Sequence, residues 1–282
     1  MRRMKIIHFL TLSLLCLLYP TTETKAQDST RTAPQDTPGR GTDTAPGSSL
    51  STAEAAAQAY REQDYTRSIA LYEEFVAQAL AENKESAEIY YNLGNACFRD
   101  NQLGRAILNF ERALLLDPGD GDIRHNLHFT QNLTEDRIEQ AGTFFLQNWF
   151  RGVRDLNNSD RWAVIGIFVF LLFLSCVALF LFVRLLWARK TAFYSGIFFC
   201  LLMIAANIFA FSQKQERTRR DGAIVMVGAA SVNASPDENS NRLFELHEGT
   251  KVRIRNSDGN WYEVAIANGS VGWTKKQNVE II

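Results

Sequence analysis

Hydrophobic positions along this chain fall into five regimes, and each predicts a different kind of element. Ile6 to Tyr19 is apolar apart from His8, Thr11 and Ser13, and Pro20 follows it. Gln27 to about Ser51 is dominated by Thr, Ser, Pro, Gly and Asp and cannot bury enough apolar surface to fold. From Ala53 apolar residues recur three and four positions apart, the spacing of an amphipathic helix. Trp162 to Val183 and Ala192 to Ser212 contain no charged residue. From Ala223 the period becomes two, the spacing of strands, and turn residues interrupt it at Pro236, Gly249, Gly259 and Gly269.

The helical region repeats itself. Tyr65, Ser68, Ile69, Tyr72 and Phe75 align with Leu103, Ala106, Ile107, Phe110 and Ala113, 38 residues later. The second copy is the better formed. Ala87 to Phe98 makes its first helix, Arg99 to Gln102 a turn, and Leu103 onward a second helix that Pro118 ends. Small residues at Gly94, Ala106 and Ala113 let the two helices approach closely. Asn126 and Leu127 echo Asn92 and Leu93 at an offset of 34, which predicts a third, solvating helix running to about Gln140. Tyr90, Leu93, Gly94, Cys97, Ala106, Phe110, Ala113 and Pro118 together resemble a tetratricopeptide repeat (TPR), with Cys97 where that family usually has an aromatic residue. The resemblance implies an all-α TPR domain over residues 52–141. It also implies a concave face on which Asn92, Asn95 and Arg99 bind a partner segment. An unrelated helical bundle is the alternative.

At 1.5 Å per residue, Trp162 to Val183 extends about 33 Å, enough to cross a hydrocarbon core of about 30 Å. Ala192 to Ser212 is a second span, and the short connection predicts a two-helix transmembrane hairpin, with residues 142–161 as a juxtamembrane segment. Arg184, Arg189 and Lys190 place that connection in the cytoplasm by the positive-inside rule. Arg2, Arg3 and Lys5 before the first apolar run, and small residues at Thr24 and Ala26, read as a signal peptide over residues 1–26 cleaved after Ala26. An uncleaved anchor is the alternative. A disordered linker then covers residues 27–51. Signal and hairpin agree on an inner-membrane protein with both folded domains on the periplasmic side. Lys214, Arg217, Arg219 and Arg220 oppose that orientation unless they sit among lipid headgroups. Trp149, Phe150 and Trp162 sit where interfacial aromatics are expected. The amphipathic Thr143 to Phe150 either lies along the membrane surface or packs on the repeats. Asn207, inside the second span, is a candidate for a hydrogen bond to Ser175 or Cys176 of the first.

Residues 222–282 predict a small all-β barrel. Leu246, Gly249 and Val252, then Gly259, Trp261, Tyr262 and Val264, then Gly269, Gly272 and Trp273, resemble the bacterial SH3 (SH3b) family. The stretch Val232 to Pro236 lacks the Arg that family often has there. The barrel aromatics serve either the core or a peptide groove. Trp261 is assigned to the core, and Tyr262 and Trp273 to an exposed partner-binding surface.

Composition adds exclusions. A net charge of −1 gives no basic face for nucleic acid. The four cysteines have no spacing for a disulfide frame or zinc site. Cys16 leaves with the signal, and Cys97, Cys176 and Cys200 are packing residues. His125 and His128 share a helix face without a third ligand, so no metal and no cofactor are expected. No phosphate loop, zinc-protease motif or nucleophile elbow occurs, and the chain reads as non-catalytic.

Domain order unites these readings. Signal, TPR unit, transmembrane hairpin and C-terminal SH3-like barrel together resemble the BatE-type Bacteroides aerotolerance (Bat) proteins. That resemblance implies a scaffold in an inner-membrane complex with von Willebrand-type Bat partners, linked to oxygen or stress tolerance. Two alternatives stand beside it: a sensor whose SH3b domain binds peptidoglycan, and a wall-processing enzyme.

Overall fold

The structure is a computed structural model that describes residues 48–137 and 145–282. The expected signal peptide, the first part of the linker and residues 138–144 lie outside the described residues. Three parts follow one another: a helical repeat region, a hairpin of two apolar helices long enough to span a membrane, and a C-terminal antiparallel sheet.

The repeat region contains α1 (Ser48–Arg61), α2 (Tyr65–Ala81), α3 (Ala87–Arg99), α4 (Leu103–Leu116) and α5 (Gly121–Gln131). Helix α1 begins within the segment expected to be linker. Its alanine-rich second half nucleates the helix, and adding residues at its start costs little once the first turn exists. Asp64 caps α2 by accepting from the Arg67 N–H at 3.1 Å, and Asp120 caps α5 by accepting from Asp122 and Ile123. Each such cap contributes about 1 kcal/mol.

The α3–α4 pair sets the close packing. A Cβ at Gly94 would stand 2.7 Å from the Phe110 ring, so only glycine lets Phe110 reach complete burial there. Ala106 and Ala113, also fully buried, keep the rest of the interface thin. In the first repeat Ser68 stands for the small alanine, and its hydroxyl donates to the Ala56 carbonyl at 2.9 Å, so burial leaves no unmet donor.

The third helix stops at Gln131, short of the expected Gln140. The Thr130 hydroxyl donates back to the Asn126 carbonyl, and a turn over Leu133 and Thr134 takes the chain off the helix axis. That departure brings Asp136 to the sheet, where three hydrogen bonds replace the missing helical ones.

Helix α6 (Phe145–Arg154) leads to the hairpin of α7 (Ser159–Phe182) and α8 (Leu186–Arg219). Gly166 packs against Ala206 and Asn207, and Gly196 against Cys176, so small residues set the helix contact. Asn207 does not bridge the hairpin. It donates to the Met203 carbonyl of its own helix at 2.8 Å, and Ser175 likewise bonds Leu171 of its own. Each polar group is thereby satisfied without crossing the pair. At the domain end, Phe150 and Trp162 pack on Phe209, and the Trp162 indole N–H donates to the Arg154 carbonyl. Gln213 donates to the Arg154 and Asn157 carbonyls at 2.8 and 2.7 Å. The basic segment from Lys214 is a direct continuation of α8.

The sheet comprises β1 (Gly222–Val225), β2 (Ala229–Asn233), β3 (Arg242–His247), β4 (Lys251–Asp258), β5 (Trp261–Ala265), β6 (Val271–Lys275) and β7 (Val279–Ile281), in the order β3-β2-β6-β5-β4-β1-β7. Its core holds Val225, Val232, Leu246, Val252 and Val264. Strand β1 is apolar on both faces. Ala223 and Val225 enter the sheet's core, while Ile224 enters the repeat core with Met226 and Ile282 beside it. Burying one isoleucine in this way stabilises the contact by about 2 kcal/mol.

Polar contacts ring that apolar plug. Lys251 pairs with Glu111 at 2.7 Å, Arg112 reaches Glu280 and the Ile281 carbonyl, and the Gly104 N–H donates to Glu248. Gly249 has φ +87°, and a Cβ there would meet Thr134 at 2.7 Å and Ile107 at 2.8 Å. Both its backbone angle and its neighbours require glycine. The sheet is thus seated on the back of α4.

Candidate binding surfaces

With the sheet on α4, the opposite side of the repeat pair belongs to α3. Asn92 is half-buried there. Arg99, at the end of α3, donates to the Tyr65 hydroxyl at 3.0 and 3.2 Å, with its guanidinium 5.5 Å from the ring centre. Tyr65 opens α2 and Arg99 closes α3, so this pair ties the first repeat to the second. Tyr65 carries the repeat pattern in the sequence, yet that pattern alone does not mark it as a groove residue.

Asn95 is placed differently from its sequence assignment. It is only 7 % exposed, and its side-chain oxygen accepts from the Asn126 amide at 3.0 Å. Asn126 also donates to the Tyr91 hydroxyl at 3.0 Å. Asn95 is therefore committed to the α3–α5 contact, since a buried polar group left unpaired would cost about 1–3 kcal/mol. Among the three expected groove residues, the structure leaves Asn92 and Arg99 toward solvent and turns Asn95 inward.

Strand parity corrects the assignment of the barrel aromatics. Tyr262 faces Thr274 and lies on the same face as the fully buried Val264, where it packs against the core cluster. Trp261 and Trp273 occupy the other face, half-buried, with Trp261 opposite Lys275 and Trp273 opposite Glu263. They are diagonal neighbours across β5 and β6, close enough for two large rings to share one surface. The expected core residue is thus outside and one of the expected surface residues is inside. A bulge-free β5–β6 register makes this unavoidable, because residues one apart on a strand point to opposite faces. Asn233 of β2 pairs with Trp273 on its far side, and Lys275 lies 5.9 Å from the Trp261 ring centre.

Groups with reactive potential are quiet. Cys97 is fully buried, and loss of hydration pushes its thiol up to about 12, far from a reactive thiolate. His125 and His128 are exposed on α5, and His128 Nδ1 lies 3.1 Å from the Asn132 amide. Among the described residues no three His, Cys, Asp or Glu side chains gather as a metal site would require.

Two family matches bear on these surfaces. Residues 87–120, which are α3, α4 and the turn after them, match the Tetratricopeptide repeat family, and residues 228–280 match the Bacterial SH3 domain family. The chain carries a TPR and a bacterial SH3 domain. No curated protein matches the chain. TPR and SH3b domains are typically non-catalytic binding modules, so a role in binding proteins or the cell wall fits both. The SH3b match starts after β1, yet β1 is the strand that plugs the barrel into the TPR core. The two modules are joined by a strand that lies outside either match.

Proposed function

We propose that this protein is a non-catalytic, membrane-anchored scaffold of a Bat-type inner-membrane complex linked to oxygen or stress tolerance. Its TPR and SH3b domains lie on the periplasmic side. The observation that carries this reading is the union of the modules. The barrel occupies the back of α4, and Gln213 and Arg154 tie the hairpin to α6. The α3 face and the Trp261–Trp273 face are both left toward solvent on one anchored body. Such an arrangement suits holding two partners at a fixed separation. The order of its modules is the ground for the Bat assignment.

Helix α6 supplies a further seat on the membrane. Phe145, Leu146 and Trp149 are 79, 59 and 57 % exposed, and Phe150 on the same apolar flank packs on Phe209 of α8. A helix with this distribution lies in the interface plane with its apolar side in the lipid.

Crosslinking in living cells from a photoreactive residue at position 92 tests the scaffold. Capture of a von Willebrand-type membrane partner supports it, and capture of cytoplasmic proteins alone would overturn it. Alkaline phosphatase fused after Ile282 tests orientation, because that enzyme is active only on the periplasmic side.

The Trp261–Trp273 surface favours a second reading, a sensor that binds peptidoglycan peptides through the SH3b domain. Cosedimentation of the detergent-solubilised protein with purified murein tests it. Retention that Trp273→Ala abolishes supports the sensor, and an absence of retention sinks it.

A further inference from the structure

A cleft of about 770 Å³ opens where the TPR end, α6, the end of α8 and the barrel meet. Seven Arg and Lys side chains and four Asp and Glu side chains line it. The four acids are already engaged. Glu111 holds Lys251, Asp155 and Glu216 both hold Arg154, and Asp221 lies 3.9 Å from Arg253. Those pairs use three of the cations. Arg124 donates to the Pro118 carbonyl, and Arg220 is 3.6 Å from Glu85. Arg151 of α6 and Arg255 of β4 have no acidic partner among the described residues, and both are exposed.

Local structure accounts for the convergence. The alternation from Lys251 to Arg255 sends Val252 and Ile254 toward the barrel core and leaves the cations on the cleft side. Arg255 sits at the irregularity between Ile254 and Asn256. Bulges of this kind re-aim a side chain. Arg151 is on the polar side of α6, opposite the flank carrying Phe145 and Trp149.

The height of the cleft selects the ligand. Gln213, Glu216 and Arg220 line it, and along α8 they stand about 3 to 14 Å beyond Phe211 at 1.5 Å per residue. The polar layer on each side of a bilayer is about 5–8 Å thick. The lower wall of the cleft is therefore level with lipid phosphates. Leu156, 65 % exposed, adds an apolar rim on that side.

We infer that this cleft is a binding site for the phosphate of an anionic phospholipid headgroup, gripped by Arg151 from the juxtamembrane helix and Arg255 from the barrel. The bound phosphate adds a bridge between α6 and the barrel to the contacts made by β1 and by Asp136. Lipid occupancy thus firms the seating of the barrel over the hairpin.

The test uses the full chain in neutral detergent, titrated with short-chain phosphatidylglycerol, short-chain phosphatidylcholine or inorganic phosphate. Saturable binding of phosphatidylglycerol is expected. It weakens at least tenfold in R151Q/R255Q and stays unchanged in R61Q/R67Q, which removes two exposed charges from the first TPR. Melting curves that match the parent confirm that the variants fold. Three outcomes overturn the inference: equal affinity in R151Q/R255Q, equal binding of phosphatidylcholine, or displacement by inorganic phosphate at matching concentration. The last would reassign the site to a soluble anion.

Discussion

Asp136 holds His247 twice over: its carboxylate accepts the His247 backbone N–H at 2.8 Å and lies 2.7 Å from Nδ1 of the ring. The Thr250 hydroxyl donates to the same carboxylate at 2.6 Å. A carboxylate only accepts, so Nδ1 carries the proton. The pair fastens the segment after the last TPR helix to the SH3b domain.

This clamp gives the junction a pH window. The hydrogen bond to Asp136 raises His247 above its usual value against some loss of hydration, and the charges of Asp136, Glu135 and Glu245 add to it. Burial pushes Asp136 upward, but the His247 N–H, the Thr250 hydroxyl and the His247 ring outweigh it and leave the carboxyl lowered. A raised histidine contributes stability that is complete below about pH 6.5 and lost as pH rises through its folded value. A lowered aspartate contributes above about pH 3.8 and loses this as pH falls. Melting temperatures of the full chain between about pH 5 and about pH 9 should therefore decline on the alkaline side. Asp136→Asn should flatten that decline, and an unaltered slope would refute the clamp.

Lys251→Ala should destabilise the junction by about 1–3 kcal/mol, less than a fully buried pair because the lysine is half exposed. Its partner Glu111 has a side chain only 7 % exposed and would be left uncompensated. Pairing the change with Glu111→Gln should recover most of the loss. Denaturant titration of the four members of this cycle measures the coupling.

Gly94→Val should lower stability by about 2–3 kcal/mol through overpacking against Phe110. Gly94→Val in a Phe110→Leu background should cost far less, because the ring that blocks the Cβ is gone. Equal penalties in both backgrounds would show that the ring is not the obstacle.

The two barrel aromatics should separate by assay. Tyr262→Ala should cost about 2 kcal/mol because its ring packs on the core. Trp273→Ala should cost less than Tyr262→Ala, because its half-buried ring lies on the face away from the core cluster. Thermal melts of both variants decide which face each ring occupies.

Trp149 should report lipid contact. Its fluorescence in vesicles should be quenched more by bromines high on the acyl chains than by bromines near their ends, since an interfacial helix sits about 5–10 Å deep. Quenching that is absent, or stronger from the deeper bromines, would move α6 out of the interface. Trp→Phe changes at positions 162 and 187 of the hairpin helices and at 261 and 273 of the barrel leave Trp149 as the single emitting tryptophan.

Most of the architecture was legible from periodicity, because a long uncharged run, a three-to-four-residue spacing and a two-residue spacing each correspond to one kind of element. The side-chain roles were less so. Tyr262 and Trp261 exchanged places because adjacent strand residues face opposite ways, and composition does not reveal which way the register starts. Asn95 looked like a groove residue until α5 supplied Asn126 as its partner, a contact no local pattern announces. The end of α5 was hidden for the same reason: Asp136 leaves the helix for His247, a residue far along the chain. Arg151 and Arg255 were invisible as a pair because they come from separate parts of the sequence and share only the lining of one cleft.

Helix α8 carries one more implication. It runs unbroken for 34 residues, about 51 Å, and only Arg220, in a left-handed conformation, and Asp221 separate it from β1. Such a rod is a lever. A tilt of about 10° imposed on its end at the hairpin turn would sweep the other end through about 9 Å over that length. A partner helix that leaned on the hairpin would thereby swing the SH3b domain without touching it, and a load on the barrel would be felt at the far end of the span.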